Sequence, residues 1–348
     1  MRYVIAAGAA LLLTTSCSLV GGSDSSSSED AERVALVTHD SFMMSEELQA
    51  EFEEESGYDL QIQASGDAGA LTNKLVLTKD DPSGDVVFGI DNTFGSRAIE
   101  EGILAPYAAT LPAGAEAYRL PGDDDQELTP VDTGSVCVNV DTTWFDAEGI
   151  PAPQTLDDLV DPAYADLLVT PGATTSSPGL AFLLATVAAY GEDGWVDYWT
   201  KLMANGAKLT AGWSDAYEVD FTQGGGGGDR PIVVSYDSSP AFTLDDAGGT
   251  TTAALLDTCF RQVEYAGVLA GAANPEGAQA LVDFMLTREV QESLPESMYV
   301  FPVDADATLP ADWASFATQP ADPLSVDPAA IAENRETWLQ EWTDVTTR

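Results

Sequence analysis

The strongest constraint on the fold is an alternation of strand-like and helix-like segments through the first third of the chain. Short apolar runs predict strands, and the longer stretches between them predict helices. The predicted strands cover 34–38, 58–63 and 85–90, and the predicted helices cover 45–55, 69–78 and 93–101. This βαβαβα order predicts an α/β fold in which helices cover a parallel sheet.

A second α/β unit follows a segment rich in Pro, Gly and Asp at 107–132. Its predicted strands are 134–140, 167–170, 208–210 and 232–236, its helices are 178–190 and 195–204, and a strand at 261–268 with helices at 275–286 and 327–344 closes the chain. A chain of 348 residues exceeds what one hydrophobic core usually organises, so we expect two lobes. We predict a first lobe at 33–133, a second lobe at 134–258, and a final segment, 259–348, that returns to the first lobe and adds the C-terminal helices.

The N-terminus has the pattern of an export signal. Arg2 precedes an apolar run at 4–13, and Cys17 follows, which is typical of a lipoprotein signal peptide at 1–16. The apolar run is too short to span a membrane. Residues 17–32 are rich in Ser and Gly and predict a flexible linker. We expect an extracytoplasmic protein anchored to the outer face of the cell membrane by lipid on Cys17. Free secretion is the alternative, because Thr14 stands where lipoprotein signals usually have Leu.

The charge of the chain excludes several kinds of partner. Its 58 acidic and 13 basic residues give a formal net charge of -45. Nucleic-acid binding needs Lys and Arg to displace counterions from phosphates, and a membrane-binding face needs a basic patch. We therefore expect no nucleic-acid partner and no membrane contact other than the lipid anchor. An acidic surface attracts cationic solutes, although solubility in a salty habitat accounts for most of this charge.

Two cysteines remain once Cys17 is assigned to lipid. Cys137 and Cys259 each lie in a strand-like run. An oxidising extracytoplasmic space favours a disulfide between them, and two buried free thiols are the alternative.

Two lobes joined by crossing strands, on an exported chain, are typical of a solute-binding protein that closes around its ligand by hinge motion. Two segments, SSPG at 176–179 and SSPA at 238–241, place Ser before Pro at the start of a predicted helix. Unpaired N–H groups at such starts bind phosphate, although ordinary helix caps have the same pattern. Trp213 and Tyr236 add aromatic faces, which attract cations. These features predict a small ligand with a cationic ring and a phosphate tail.

Five motifs resemble those of the thiamine-binding proteins of bacterial ABC importers, in the same order. They are THDSF at 38–42, GDVVFGIDN at 84–92, SSPG at 176–179, GWSDAY at 212–217 and SYDSSPA at 235–241. The resemblance implies a type II two-lobed periplasmic-binding-protein fold. It also implies delivery of thiamine, thiamine monophosphate or thiamine diphosphate to a membrane permease and, through it, an ATPase. We expect a monomer without a cofactor and without catalytic activity.

The resemblance also implies which residues contact the ligand. Asp67 and Ala68 would lie near the aminopyrimidine, although Asp67 is also placed to cap a helix. Ser176 and Ser177 would lie at the phosphate or hydroxyethyl end, and Trp213 and Tyr236 against the rings. The second lobe would wrap the ligand with the segment Tyr236, Asp237, Ser238, Ser239 and Pro240.

Two ring positions depart from the family. His39 stands where the family commonly has Tyr, and Tyr299 stands where it has Trp, so both positions keep a flat ring. Protonation of His39 would place a like charge near a cationic ligand and make binding pH-sensitive. The alternative is a neutral, hydrogen-bonded histidine. Asp237 replaces a small polar residue of the family motif, and its carboxylate would disfavour the more anionic esters.

Two other functions remain as alternatives. Ferric-iron-binding proteins share the fold and use paired tyrosines with a carboxylate or histidine, but Tyr236 stands beside Asp237 without a neighbouring tyrosine. A secreted serine hydrolase would need Ser214 as the nucleophile and His39 as its base. The sequence around Ser214, GWSDA, falls one residue short of the nucleophile elbow.

Overall fold

A mixed sheet runs through residues 32–347, the part of the chain that this computed structural model describes. Its strands are β1 (Arg33–Thr38), β2 (Asp59–Ala64), β3 (Val86–Asp91), β4 (Leu104–Ala105), β5 (Thr129–Asp141), β6 (Leu168–Pro171), β7 (Lys208–Thr210), β8 (Ile232–Tyr236), β9 (Thr252–Leu269) and β10 (Phe301–Pro302). The strand order is β2-β1-β3-β9-β5-β8-β6-β7, with β4 paired to β9 and β10 paired to β5.

Helices connect these strands. They are α1 (Glu46–Ser56), α2 (Ala68–Leu77), α3 (Gly95–Glu100), α4 (Thr142–Glu148), α5 (Ser177–Tyr190), α6 (Trp195–Ala204), α7 (Pro275–Met285), α8 (Arg288–Met298), α9 (Trp313–Phe316) and α10 (Pro328–Thr346). Side-chain caps fix several of their starts. Ser45 accepts the Leu48 N–H at α1, Asn274 accepts the Gly277 N–H at α7, and Pro275 follows in the first turn of α7.

Two long antiparallel strands, β5 and β9, join two groups of parallel strands. On one side β1 pairs in parallel with β2 and β3, and on the other β6 pairs in parallel with β7 and β8. β9 pairs with β3 in the first group, β5 pairs with β8 in the second, and β5 and β9 pair with each other. The predicted α/β fold with crossing strands is confirmed. The predicted lobe borders fall inside β5 and β9, and the bounds of the lobes stay a prediction.

Several predicted elements differ from the structure in extent. β5 begins at Thr129 and β9 at Thr252, well before the predicted starts at 134 and 261. The early part of β5 contains Pro130 and Asp132. Both residue types are unusual in a strand, so this part of β5 was not predicted. α8, which contains Pro295, was not predicted. The predicted helix after 238–241 is a single 3₁₀ turn, Ser239–Ala241.

The C-terminal helix contacts helices from both strand groups. Trp342 of α10 meets Trp199 of α6 edge to face, with ring centroids 5.6 Å apart. Arg335 of α10 is buried and donates to the Ser96 hydroxyl of α3 at 3.2 Å. α10 therefore packs against the helix that follows β3 and the helix that follows α5.

A disulfide links the two crossing strands. Cys137 of β5 bonds to Cys259 of β9, and the two residues are 122 positions apart in the sequence. Both side chains are buried. The alternative of two free thiols does not describe this structure.

The predicted signal peptide at 1–16, the lipid-modified Cys17 and almost all of the linker at 17–32 lie outside the described residues. Within residues 32–347, none of the helices combines the length and the apolar character needed to cross a bilayer.

Candidate ligand-binding site

A cavity of about 270 Å³ lies beside the ends of β1 and β8, the starts of α2 and α5, and the middle of β9. It is lined by His39, Asp40, Ser41, Met43, Asp67, Ala68, Ser177, Pro178, Trp213, Ser214, Glu218, Tyr236, Glu264, Ser297, Met298, Tyr299 and Val300. Seven of the residues predicted as ligand contacts line it: His39, Asp67, Ala68, Ser177, Trp213, Tyr236 and Tyr299. The other five do not: Ser176, Asp237, Ser238, Ser239 and Pro240.

Three aromatic side chains form one wall of the cavity. The ring centroid of Trp213 lies 6.3 Å from that of Tyr236 and 6.0 Å from that of Tyr299. Trp213 also stacks on Tyr217 at 5.0 Å and 11°, and its indole N–H donates to the Ser235 hydroxyl at 2.9 Å. These contacts hold the indole in place, so a ligand meets an aromatic wall that is already ordered.

Asp67 connects residues that are far apart in the sequence. One carboxylate oxygen accepts the N–H of Ala68 at 2.6 Å and that of Ser177 at 3.3 Å, and the other accepts the N–H of Trp213 at 2.8 Å. Burial raises the pKa of Asp67 above its ordinary value, although the Trp213 N–H opposes this shift. Asp67 therefore caps α2, which was the predicted alternative to ligand contact, and it also lines the cavity.

His39 faces the carboxylate of Glu264, a residue that was not among the predicted ligand contacts. Its Nε2 lies 3.4 Å from Oε1 of Glu264, and its Nδ1 lies 2.9 Å from the Ser41 hydroxyl. Burial lowers the pKa of His39, but the charge of Glu264, its hydrogen bond and the charges of Asp67 and Asp40 together outweigh this effect and raise the pKa above its ordinary value. Both ring nitrogens face groups other than Ser214, so the hydrolase alternative lacks its base.

The start of α5 contributes the predicted serines in two different ways. Ser177 lines the cavity, and its hydroxyl accepts from the Gln262 amide at 3.3 Å. The Ser176 hydroxyl instead accepts the Gly179 N–H at 3.4 Å, which makes Ser176 the N-cap of α5. The N-terminus of a 14-residue helix thus lies beside the cavity.

The predicted wrapping segment after Tyr236 has its side chains directed into the protein. Asp237 accepts the Ser135 N–H at 3.1 Å, and burial raises its pKa to about 7. The Ser238 hydroxyl donates to the Tyr299 carbonyl, and the Ser239 hydroxyl pairs with Ser235 at 2.9 Å. These contacts position Tyr299 and the end of β8, and the role of the segment as direct ligand contacts stays a prediction.

Two glutamates that line the cavity were not among the predicted ligand contacts. Glu264 is 5% exposed on β9, and Glu218 lies in a single π-helical turn, Asp215–Asp220. The signal for Glu264 was its position in a strand whose following residues are apolar, because a charge in such a strand needs a partner. Glu218 gave no comparable signal.

Together, the fold and the cavity define a class, the two-lobed binding proteins of type II. Residues 81–318 match the family model described as "Bacterial extracellular solute-binding protein", and the chain belongs to this family. The match covers strands β3 to β10 and the cavity-lining residues from Ser177 onward.

Named relatives within this class indicate the kind of binding protein that the chain resembles. The "Thiamine-binding periplasmic protein" of Escherichia coli (strain K12) is 30% identical over 84% of this chain and 85% of its own length. The protein of that name from Brucella melitensis biotype 1 is 30% identical over 91% of this chain and 93% of its own. A solved "Periplasmic thiamin binding protein" superposes with a TM-score of 0.78 at 30% identity, covering 91% of this chain and 96% of that one. The resemblance inferred from the motifs is therefore confirmed.

Iron-binding proteins are structural neighbours at a greater distance. The "Ferric binding protein from Campylobacter jejuni" has a TM-score of 0.69 at 16% identity, covering 90% of this chain and 99% of that one. This likeness shows the fold alone. Across residues 32–347, His, Cys, Asp and Glu form no group of three or more suited to a metal ion.

Proposed function

We propose that this protein captures thiamine or one of its phosphate esters outside the cytoplasm. The observation that supports the proposal is the cavity in which three aromatic rings and the carboxylates of Asp67 and Glu264 face the same space. A thiazolium ring has a permanent positive charge, which gains ~0.5 to 2 kcal/mol from a well-placed aromatic face. The thiamine-binding relatives give the same ligand class.

We propose that unesterified thiamine binds more tightly than the diphosphate. The cavity lining contains four carboxylates, on Asp40, Asp67, Glu218 and Glu264, and neither Lys nor Arg. The start of α5 offers N–H groups to a hydroxyl or a single phosphate. A second phosphate would add negative charge without a cationic side chain to compensate it.

The biological role follows from the family. We propose that the loaded protein delivers its ligand to an ABC transporter permease, whose ATPase supplies the energy, and that no covalent bond is made or broken during capture. We further propose that it acts as a monomer without a cofactor, held at the outer face of the membrane by lipid on Cys17. Intact-mass analysis of the membrane fraction tests the anchor, and a mature chain without a diacylglyceryl group on Cys17 would refute it.

Isothermal titration calorimetry tests the ligand. The purified protein, stripped of bound ligand by mild unfolding and refolding, is titrated with thiamine, thiamine monophosphate, thiamine diphosphate and ferric citrate. We expect submicromolar affinity for thiamine, weaker binding of the diphosphate, and no heat with ferric citrate. Folded protein that binds none of the thiamine compounds would refute the proposal.

A further inference from the structure

Three carboxylates form a row across three neighbouring strands of the sheet, β3, β9 and β5. Glu264 on β9 is the cross-strand partner of Asp91 on β3 and of Asp132 on β5. All three side chains are buried, with exposed fractions of 0% for Asp91, 1% for Asp132 and 5% for Glu264. Of the three, Glu264 lines the cavity. Its carboxylate is therefore the part of the row that a ligand meets.

Asp132 positions Glu264 from the side away from the ligand. Within residues 32–347, neither carboxyl oxygen of Asp132 has a hydrogen-bond donor. Burial first, and then the charge of Glu264, raises the pKa of Asp132 well above its ordinary value. The raised pKa favours the protonated form of Asp132, whose hydroxyl can donate to the neighbouring Glu264 carboxylate. Such a bond would satisfy the Asp132 carboxyl and orient the carboxylate of Glu264.

His39 competes with the ligand for the charge of Glu264. The imidazole Nε2 lies 3.4 Å from Glu264 Oε1, and the other acidic groups that face His39 are Asp67 and Asp40. From β8, the Tyr236 hydroxyl faces the same carboxylates and stays neutral, because burial raises its pKa well above 10. In the empty site, His39 balances the charge of Glu264 whenever the imidazole is protonated. A cationic ligand in the same cavity would place two positive charges beside one carboxylate.

Given the proposed function, we infer that Glu264 recognises the positive charge of the ligand and that the ligand replaces the proton of His39. The His39 proton passes to solvent as the cation enters, and the charge beside Glu264 is unchanged. Affinity then depends on pH in one direction. Below the pKa of His39 each ligand displaces one proton, so the affinity rises up to tenfold per pH unit. Above that pKa, no proton remains to be displaced, and the affinity levels off.

Calorimetry on the full-length protein tests the inference. Thiamine is titrated at pH 6.0, 7.0 and 8.5, each time in two buffers with different ionisation enthalpies, which gives the number of protons released. The wild type is expected to release more protons at pH 6.0 than at pH 8.5, with affinity rising between them. His39→Gln should bind with a flatter pH profile and with less proton release, the remainder coming from Asp91, whose pKa is raised by burial to about 7. A flat profile without proton release in the wild type would overturn the exchange.

A glutamine variant of Glu264 tests the recognition itself. Glu264→Gln should weaken thiamine binding at least tenfold at pH 8.5, while the neutral aminopyrimidine fragment of thiamine binds within threefold of its wild-type affinity. A folded Glu264→Gln protein with unchanged thiamine affinity would overturn the assignment, and the wild-type proton count decides the matter if this variant fails to fold. Absence of thiamine binding at every pH would instead refute the proposed function, and the inference with it.

Discussion

Replacing Trp213 by alanine tests aromatic recognition of a cation most directly. One face of the indole stacks on Tyr217 at 5.0 Å, and its N–H donates to Ser235 at 2.9 Å. The ring also lines the cavity beside Tyr236 and Tyr299. The substitution therefore removes the largest ring of the wall while leaving the two tyrosines in place.

The magnitude follows from the environment of the Trp213 ring. Trp213 is only 7% exposed, so a cation beside it is largely desolvated and the upper part of the cation–π range, ~2 kcal/mol, applies. A difference of ~1.4 kcal/mol corresponds to a tenfold change in affinity. We therefore expect Trp213→Ala to weaken thiamine binding about 30-fold.

Trp213 is also part of the core, so the assay needs controls for folding. Truncation of a buried Trp to Ala costs ~3 to 5 kcal/mol of stability, and the titration is therefore run well below the measured unfolding midpoint. Trp213→Phe keeps a ring in the wall and should bind within about fivefold of the wild type. Tyr217→Leu removes the ring behind Trp213, outside the cavity lining, and should have a smaller effect than Trp213→Ala. A folded Trp213→Ala protein with a dissociation constant within threefold of the wild type would refute the stacking role.

Three further predictions concern stability and ligand choice. The pKa of Asp237 is raised from 3.8 to about 7, so its protonated form stabilises the fold at low pH and this contribution is lost as pH rises toward 7. Urea unfolding should show Asp237→Asn gaining about 3 kcal/mol relative to the wild type between pH 5 and pH 8, and parallel pH profiles would contradict this. Loss of the bond between Cys137 and Cys259 in the double Ala variant should cost ~4 kcal/mol by the same measurement, because the bond closes a long loop, and an unchanged urea midpoint would count against it. Glu218→Gln should improve binding of thiamine diphosphate threefold or more at low salt while leaving thiamine within twofold, and equal effects on both ligands would rule out a charge effect.

The aromatic residues of the site and Asp67 were predicted from the sequence, and the two glutamates, Glu218 and Glu264, were not. Trp213 lies in a polar loop between predicted strands, where a large aromatic has no apolar stripe to join, and this setting pointed to a ligand. Glu264 lies between apolar strand residues, and its role depends on which strands become its neighbours. The pairing of β9 with β3 and β5 brings Asp91 and Asp132 beside it across large sequence separations. A local pattern does not encode that register.

The segment after Tyr236 shows a second limit of the sequence. Ser-Pro junctions at 176–179 and 238–241 have nearly the same residues, but only the first begins a long helix. In the second, the Ser238 and Ser239 hydroxyls bond to the Tyr299 carbonyl and to Ser235. Those partners come from a distant segment and from the preceding strand, so tertiary contacts decide the direction of the hydroxyls.

Two carboxylates of the cavity, Asp67 and Glu264, have different capacities for a ligand. An ionised carboxylate has about four acceptor positions, and Asp67 already accepts the N–H groups of Ala68, Ser177 and Trp213. A side-chain hydrogen bond from Ser176 also reaches this carboxylate, so a ring amine would bind Asp67 by replacing that bond. Glu264 faces the side chains of His39 and Asp132, and each of these side chains can gain or lose a proton. Asp67 is thus suited to recognise the hydrogen-bonding pattern of a ligand, and Glu264 its charge. It follows that a neutral aminopyrimidine should depend on Asp67 and a cationic ring on Glu264.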